Sequence, residues 1–157
     1  MTLAAQILQA AKANGVMIAT AESCTGGMVS AAITDIPGSS AVFDRGFVTY
    51  TNAAKMQMLS VSPSALAKFG AVSEAVAHEM ARGAVQHSDA QLAVSITGIA
   101  GPGGSEHKPE GRVCFGIAQN DHSIAETIEF GALGRKNVRK AATEHALQLL
   151  LRALTQE

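Results

Sequence analysis

GVMIATAESCTGGMVSAAIT, Gly15 to Thr34, runs from an apolar stretch through Glu22, Ser23, Cys24, Thr25 and a glycine pair into apolar residues at helical spacing. The first part reads as a buried strand ending near Ser23, and the positions of Met28, Val29, Ala32 and Ile33 predict a helix beyond it. Gly15 is placed to cap a preceding helix. MTLAAQILQAAKANG supplies one, with Leu3, Ile7, Leu8 and Ala11 on an apolar side. Helix, strand, polar loop, helix is the opening of a layered α/β chain.

The same alternation continues outward. IPGSS is a turn, VFDRGFVTYTN alternates as a second strand with Tyr50 at its end, and a short helix is predicted from near Asn52, a good N-cap. A turn at Ser62-Pro63 opens another short helix. Ser73 caps a longer one that carries Val76, Met80 and Ala84 as a stripe. AQLAVSITGIAGPGG is a strand running into a glycine-rich loop, GRVCFGIAQ and HSIAETIEF form a hairpin around Asn120-Asp121, and RKNVRKAATEHALQLLLRAL closes the chain as an amphipathic helix. Strands alternating with helices and finishing in a hairpin predict a three-layer α/β/α sandwich on a mixed sheet, as one domain over residues 1–157.

Composition narrows the function classes. The chain has 157 residues, 47% of them hydrophobic, enough to bury a core in one domain. Twelve basic and thirteen acidic side chains leave a formal net charge of -1, and no basic run interleaved with aromatics suggests a nucleic-acid surface. The expected partners are a small molecule and other copies of the chain, a dimer by default. The N-terminus lacks a signal-peptide apolar region and no apolar run reaches membrane-spanning length, so the expected location is the cytoplasm. Cys24 and Cys114 cannot form a disulfide framework, and no Cys/His set has zinc spacing, so both are read as reduced thiols and no metal is expected.

Two loops, AESCTGG and TGIAGPGG, sit where a strand has just ended, the place where parallel α/β sheets collect ligands. Gly26 and Gly27 open a predicted helix, so their N–H groups can bind a phosphate or an oxyanion; the alternative is a close helix–strand contact. TGIAGPGG is neither a Walker A loop nor a dinucleotide fingerprint, yet its main chain, from Gly98 onward, and the Thr97 hydroxyl can hold a ribose or phosphate. Ser23 needs a base to act as a nucleophile. None of the five histidines falls at the end of a predicted strand, His145 lies on the apolar side of the last helix, and each is read as structural or solvated. His78-Glu79 begins a metalloprotease pattern, but Arg82 stands where the second ligand belongs. Lys55, just past the second strand, lies at the same edge of the sheet as Ser23. Position alone leaves open whether it is a base or a solvated charge. As a base it must be largely buried or beside another cation, because an unperturbed lysine titrates at about 10.4.

Together TAESCTGG, TYTNAAKMQML, GAVSEAVAHEMARGA, SITGIAGPGG and GRKNVRKAA resemble the CinA C-terminal domain family, from about Leu3 to Leu154. That family includes stand-alone nicotinamide-nucleotide amidohydrolases. The resemblance implies the three-layer fold and hydrolysis of the amide of nicotinamide mononucleotide to nicotinate mononucleotide and ammonia, with no cofactor. It implies a serine and a lysine as the reacting pair, at Ser23 and Lys55. Tyr50 then relays the proton or orients Lys55, backbone N–H groups near Cys24 to Gly27 hold the oxyanion, and Thr25, Thr97, Gly98 and Arg139 are candidates for the nucleotide's phosphate and ribose. KPEGRV departs from the family's usual pattern by placing Arg112 where a threonine is common, which alters substrate choice or extends a sheet surface. Two rival readings stand beside this one: a non-catalytic nucleotide-binding module, and an amidase whose nucleophile is the Cys24 thiol at the helix N-terminus.

Overall fold

The computed structural model describes residues 1–156. Five strands, β1 (Ile18–Glu22), β2 (Phe43–Val48), β3 (Leu92–Gly98), β4 (Arg112–Gln119) and β5 (His122–Glu129), form one sheet in the order β2-β1-β3-β4-β5. β1 runs parallel to both its neighbours, whereas β3–β4 and β4–β5 are antiparallel, so the sheet is mixed as its sequence predicts. The helices are α1 (Leu3–Asn14), α2 (Met28–Thr34), α3 (Asn52–Leu59), α4 (Pro63–Phe69), α5 (Glu74–Gln86) and α6 (Arg135–Thr155).

Strand periodicity sorts side chains between the two helical layers. Ile18, Leu92, Val94 and Ile96 join Ile7, Val29, Ile33 and Val138 on the face covered by α1, α2 and α6. Ala19, Ala21 and Ala93 face the other way and meet Leu59, Val76 and Met80 beneath α3, α4 and α5. All of β1 is buried, because it is the middle of the three parallel strands and is covered on both faces; its two polar side chains, Thr20 and Glu22, are buried with the rest. The three layers match the expected sandwich.

Local signals hold at most boundaries. Gly15 ends α1 at φ 63°, Ser62 accepts the Ala65 N–H at the start of α4, and Ser73 accepts the Val76 N–H at the start of α5. Two expectations shift. Thr51, not Asn52, caps α3, its hydroxyl accepting the Ala54 N–H, which makes Asn52 the first helical residue. β2 stops at Val48, two residues before Tyr50, because the chain bends there into the Thr51 cap.

The topology positions the site. From β1 the chain passes through α2 on one face to reach β2, then through α3, α4 and α5 on the opposite face to reach β3 on the other side of β1. The connections thus diverge at the carboxyl end of β1, where open α/β sheets form their ligand crevice. Ser23 follows directly. α5 lies close over β4 because Gly116 has no side chain: a Cβ there would run into the Ala77 carbonyl and approach Ser95 Oγ to 2.6 Å. Gly116→Ala should therefore lower stability by about 1 to 3 kcal/mol through overpacking, read as a fall in melting temperature.

Among the described residues no helix is long and apolar enough to cross a membrane.

Candidate active site

Ser23 is the first residue beyond β1 and Lys55 sits in the first turn of α3. Alternation along the extended chain turns the Glu22 side chain toward α2 and the Ser23 side chain toward the layer that contains α3. Lys55 reaches Ser23 from that side. Its Nζ lies 3.1 Å from Ser23 Oγ, 2.9 Å from the Thr49 carbonyl oxygen and 3.3 Å from that of Tyr50. An ammonium would donate to all three. A neutral amine has two N–H bonds and one lone pair; with the two carbonyls taking the N–H bonds, the lone pair is left for the serine hydroxyl.

The surroundings favour that neutral form. Lys55 is 1% exposed and Ser23 8%. Burial is the largest influence on the ammonium and pulls its pKa below the ordinary 10.5, with smaller opposing effects from Cys24 and Glu106. The burial that a lysine base requires is present.

Thr49 offers a control beside the site. Its carbonyl holds Lys55, yet its buried Oγ1 has no hydrogen-bond partner among the described residues. Thr49→Val keeps the carbonyl and removes an unsatisfied hydroxyl, so it should raise unfolding stability by about 1 kcal/mol in denaturant titration and leave Lys55 in place.

The loop after β1 uses its hydrogen bonds differently from the sequence-based expectation. Gly26 N–H donates to the Ser23 carbonyl at 3.1 Å, Gly27 N–H to Glu22 Oε1 at 3.2 Å and Met28 N–H to the Thr25 carbonyl at 3.1 Å. Ser23 N–H donates to the Ile96 carbonyl at 2.9 Å. Among the described residues the Cys24 and Thr25 N–H groups alone of this loop have no acceptor, and they are the two that follow Ser23 in the chain. The Gly27 backbone, at φ 105°, is why the second glycine is needed.

Ser23, Cys24, Tyr50, Lys55, Thr97 and Gly98 all line one open cleft of about 390 Å³. Thr25, Gly26, Gly27 and Arg139 lie outside its lining and are engaged in the protein. The Thr25 hydroxyl donates to Glu22 Oε1 at 2.7 Å, and Arg139 donates to the Cys24 and Thr25 carbonyls at 3.0 and 3.3 Å. Arg139 is thus neither a solvated helix charge nor an open phosphate ligand; it braces the loop from α6. Even Thr97, in the cleft wall, spends its hydroxyl on the Ala71 carbonyl at 2.9 Å. Tyr50 meets Lys55 through its carbonyl, while its hydroxyl accepts from Arg135 at 2.6 Å.

Sequence reasoning missed Arg135. It lines the cleft from the first turn of α6, with its other nitrogen donating to the Gly101 carbonyl of the glycine-rich loop at 2.7 Å. The signal was the GRKNVRKAA segment, in which only the second arginine was singled out. Arg112 is explained: it pairs with Glu129, its cross-strand partner on β5, at 2.8 Å and does not enter the cleft lining. The pair extends the sheet surface. Three of the histidines have structural partners: His78 bonds Ser123, His87 bonds Ser60 and His145 bonds Glu126 beside Phe115.

Cys24, the rival nucleophile, lines the same cleft. It is buried, and that burial pushes its thiol up to about 11, leaving almost no thiolate near neutrality. Among the described residues no three His, Cys, Asp or Glu side chains gather where they could hold a metal ion.

The fold is an α/β/α sandwich with a serine and a buried lysine in contact at its switch point, and sequence relationships give its family. Residues 1–154 match the model of the CinA C-terminal domain, and the chain belongs to that family. It is 54% identical to the nicotinamide-nucleotide amidohydrolase PncC of Escherichia coli strain K12 over 151 residues, covering 96% of this chain and 92% of that protein. It is 46% identical to a CinA-like protein of Chloroherpeton thalassium, of which it covers only 38%. The crystal structure of the competence/damage inducible protein CihA from Agrobacterium tumefaciens, 49% identical, superposes with a TM-score of 0.93 over 98% of this chain and 94% of that one.

Proposed function

We propose that this protein is a nicotinamide mononucleotide amidohydrolase working in the cytoplasm through a Ser23–Lys55 pair. The observation that carries the reading is the 3.1 Å contact between Ser23 Oγ and a buried lysine amine whose pKa that burial lowers. Kinship with nicotinamide-nucleotide amidohydrolases, over nearly the full length of both chains, supports the choice of substrate.

Lys55 takes the Ser23 proton as Oγ attacks the carboxamide carbon. The negative charge that forms on the amide oxygen is met by the Cys24 and Thr25 N–H groups, preorganised donors with no partner to give up. Lys55 then returns the proton to the amide nitrogen, the C–N bond breaks and ammonia leaves. Water, deprotonated by the same amine, attacks the ester on Ser23; nicotinate mononucleotide departs and the serine regains its proton. Tyr50 acts by orienting Lys55 through its carbonyl. Thr97, Gly98 and the glycine-rich loop form the far wall of the cleft for the nucleotide, while Gly26, Gly27, Thr25 and Arg139 keep the nucleophile's loop in shape.

Purified protein incubated with nicotinamide mononucleotide should release ammonia and nicotinate mononucleotide in equal amounts. Binding without release would replace the enzyme with a nucleotide-binding module.

A further inference from the structure

We infer that Glu22 is the positioning residue of the site: its carboxyl group, on the face of β1 opposite Lys55, holds the nucleophile and the two free N–H groups in register. This rests on the amidase reading, but its grounds are separate. Glu22 is fully buried, and its two oxygens accept five hydrogen bonds. Oε1 takes the Thr25 hydroxyl at 2.7 Å, Gly27 N–H at 3.2 Å and Val29 N–H at 3.0 Å. Oε2 takes Ser30 N–H at 3.0 Å and the Ser30 hydroxyl at 2.8 Å, and that hydroxyl also lies 2.7 Å from Thr20 Oγ1.

Every one of those donors comes from the loop or the first turn of α2. The Glu22 main chain, meanwhile, is fixed between strands, its carbonyl accepting from Thr49 N–H at 2.8 Å. One residue therefore ties the loop after Ser23 to the frame that carries Lys55. A carboxylate suits the task because it accepts only. Glutamine would aim an N–H pair at donors, so part of the network must open.

Glu22 cannot substitute for Lys55 as the base. Its side chain points to the α2 layer and all its acceptor capacity is used, whereas the serine hydroxyl faces α3. Replacing the carboxyl group should disturb geometry and leave the titrating base alone.

The test compares wild type with Glu22→Gln in two readouts: turnover of nicotinamide mononucleotide across pH, and the rate at which a fluorophosphonate labels Ser23. The inference expects kcat to fall about 100-fold, the loss associated with a displacement near 1 Å, with KM within about threefold. The apparent pKa of the kcat profile stays at its wild-type value, and Ser23 labelling slows. Unchanged kcat and labelling in a folded variant would overturn it, as would disappearance of the rise in rate with pH, which would make Glu22 the base. If Glu22→Gln does not fold, Ser30→Ala decides, since it removes one of the five bonds on the helix side: a several-fold lower kcat at constant KM supports the inference, and a wild-type kcat overturns it. Wild type that labels at Ser23, slowly in the variant, yet releases no ammonia defeats the amidase reading and spares this one. Wild type whose Ser23 ignores the probe removes the nucleophile, and the inference with it.

Discussion

Lys55→Met will lower ammonia release by about 10² to 10⁴-fold, the range expected when a general base is lost, in a protein that still folds. Methionine fills the same buried channel without a lone pair. Lys55→Arg will not rescue it, because a guanidinium stays protonated and cannot take the serine proton. In wild type the rate should rise with pH through an apparent value below the ordinary 10.5 of lysine, since burial lowers Lys55 and the amine is the working form. Stability should follow the same group. Between the lowered folded pKa and 10.5 the unfolded chain binds more protons at this position than the folded one, so unfolding free energy climbs with pH across that window and is flat, for this group, below it. Lys55→Met should lose that slope. Chemical denaturation of both proteins at several pH values, beside the rate profile, checks both halves; an active arginine variant would reduce Lys55 to a positive charge.

Ser23→Ala should cost on the order of 10⁴-fold or more in turnover, the scale seen when a nucleophile acting as part of a unit is removed. The fold and nucleotide binding should remain, because the hydroxyl contributes to the cleft and not to either apolar core. Cys24→Ser is the natural partner experiment. Its thiol, pushed to about 11, carries no chemistry in this account, and serine preserves the backbone N–H that meets the oxyanion. Activity surviving in Cys24→Ser and lost in Ser23→Ala separates the two adjacent candidates; the reverse pattern would transfer the reaction to the thiol.

Much of this geometry was written locally. The strand before Ser23, the Gly15 cap and the Ser62 and Ser73 caps depend on neighbours within a few residues, and the structure keeps them. That Lys55 lies at the sheet edge shared with Ser23 followed from strand–helix alternation, whereas its pairing with Ser23 came from resemblance to a family. What periodicity could not supply was which partner each polar group takes. Glu22 reads as one more polar residue in a loop until α2 folds back over it. Gly26 and Gly27 look like open anion donors, yet one N–H closes the turn on the Ser23 carbonyl and the other goes to Glu22. Arg139 and Arg135 occupy one helix in similar contexts; only the approach of α6 to the loop and to Tyr50 sends the first to the Cys24 carbonyl and the second to the cleft. The central place of β1 is likewise a choice among strand orders that the alternation of elements leaves open.

Covalent chemistry at Ser23 is the centre of this account, and its most direct test is the mass of the Ser23 peptide after wild-type protein is mixed with nicotinamide mononucleotide and acid-quenched within the first turnover. The predicted result is a nicotinate mononucleotide acyl group esterified to Ser23, appearing as ammonia is released. An unmodified Ser23 throughout a turnover that has released its ammonia, or the acyl group on Cys24, would contradict it.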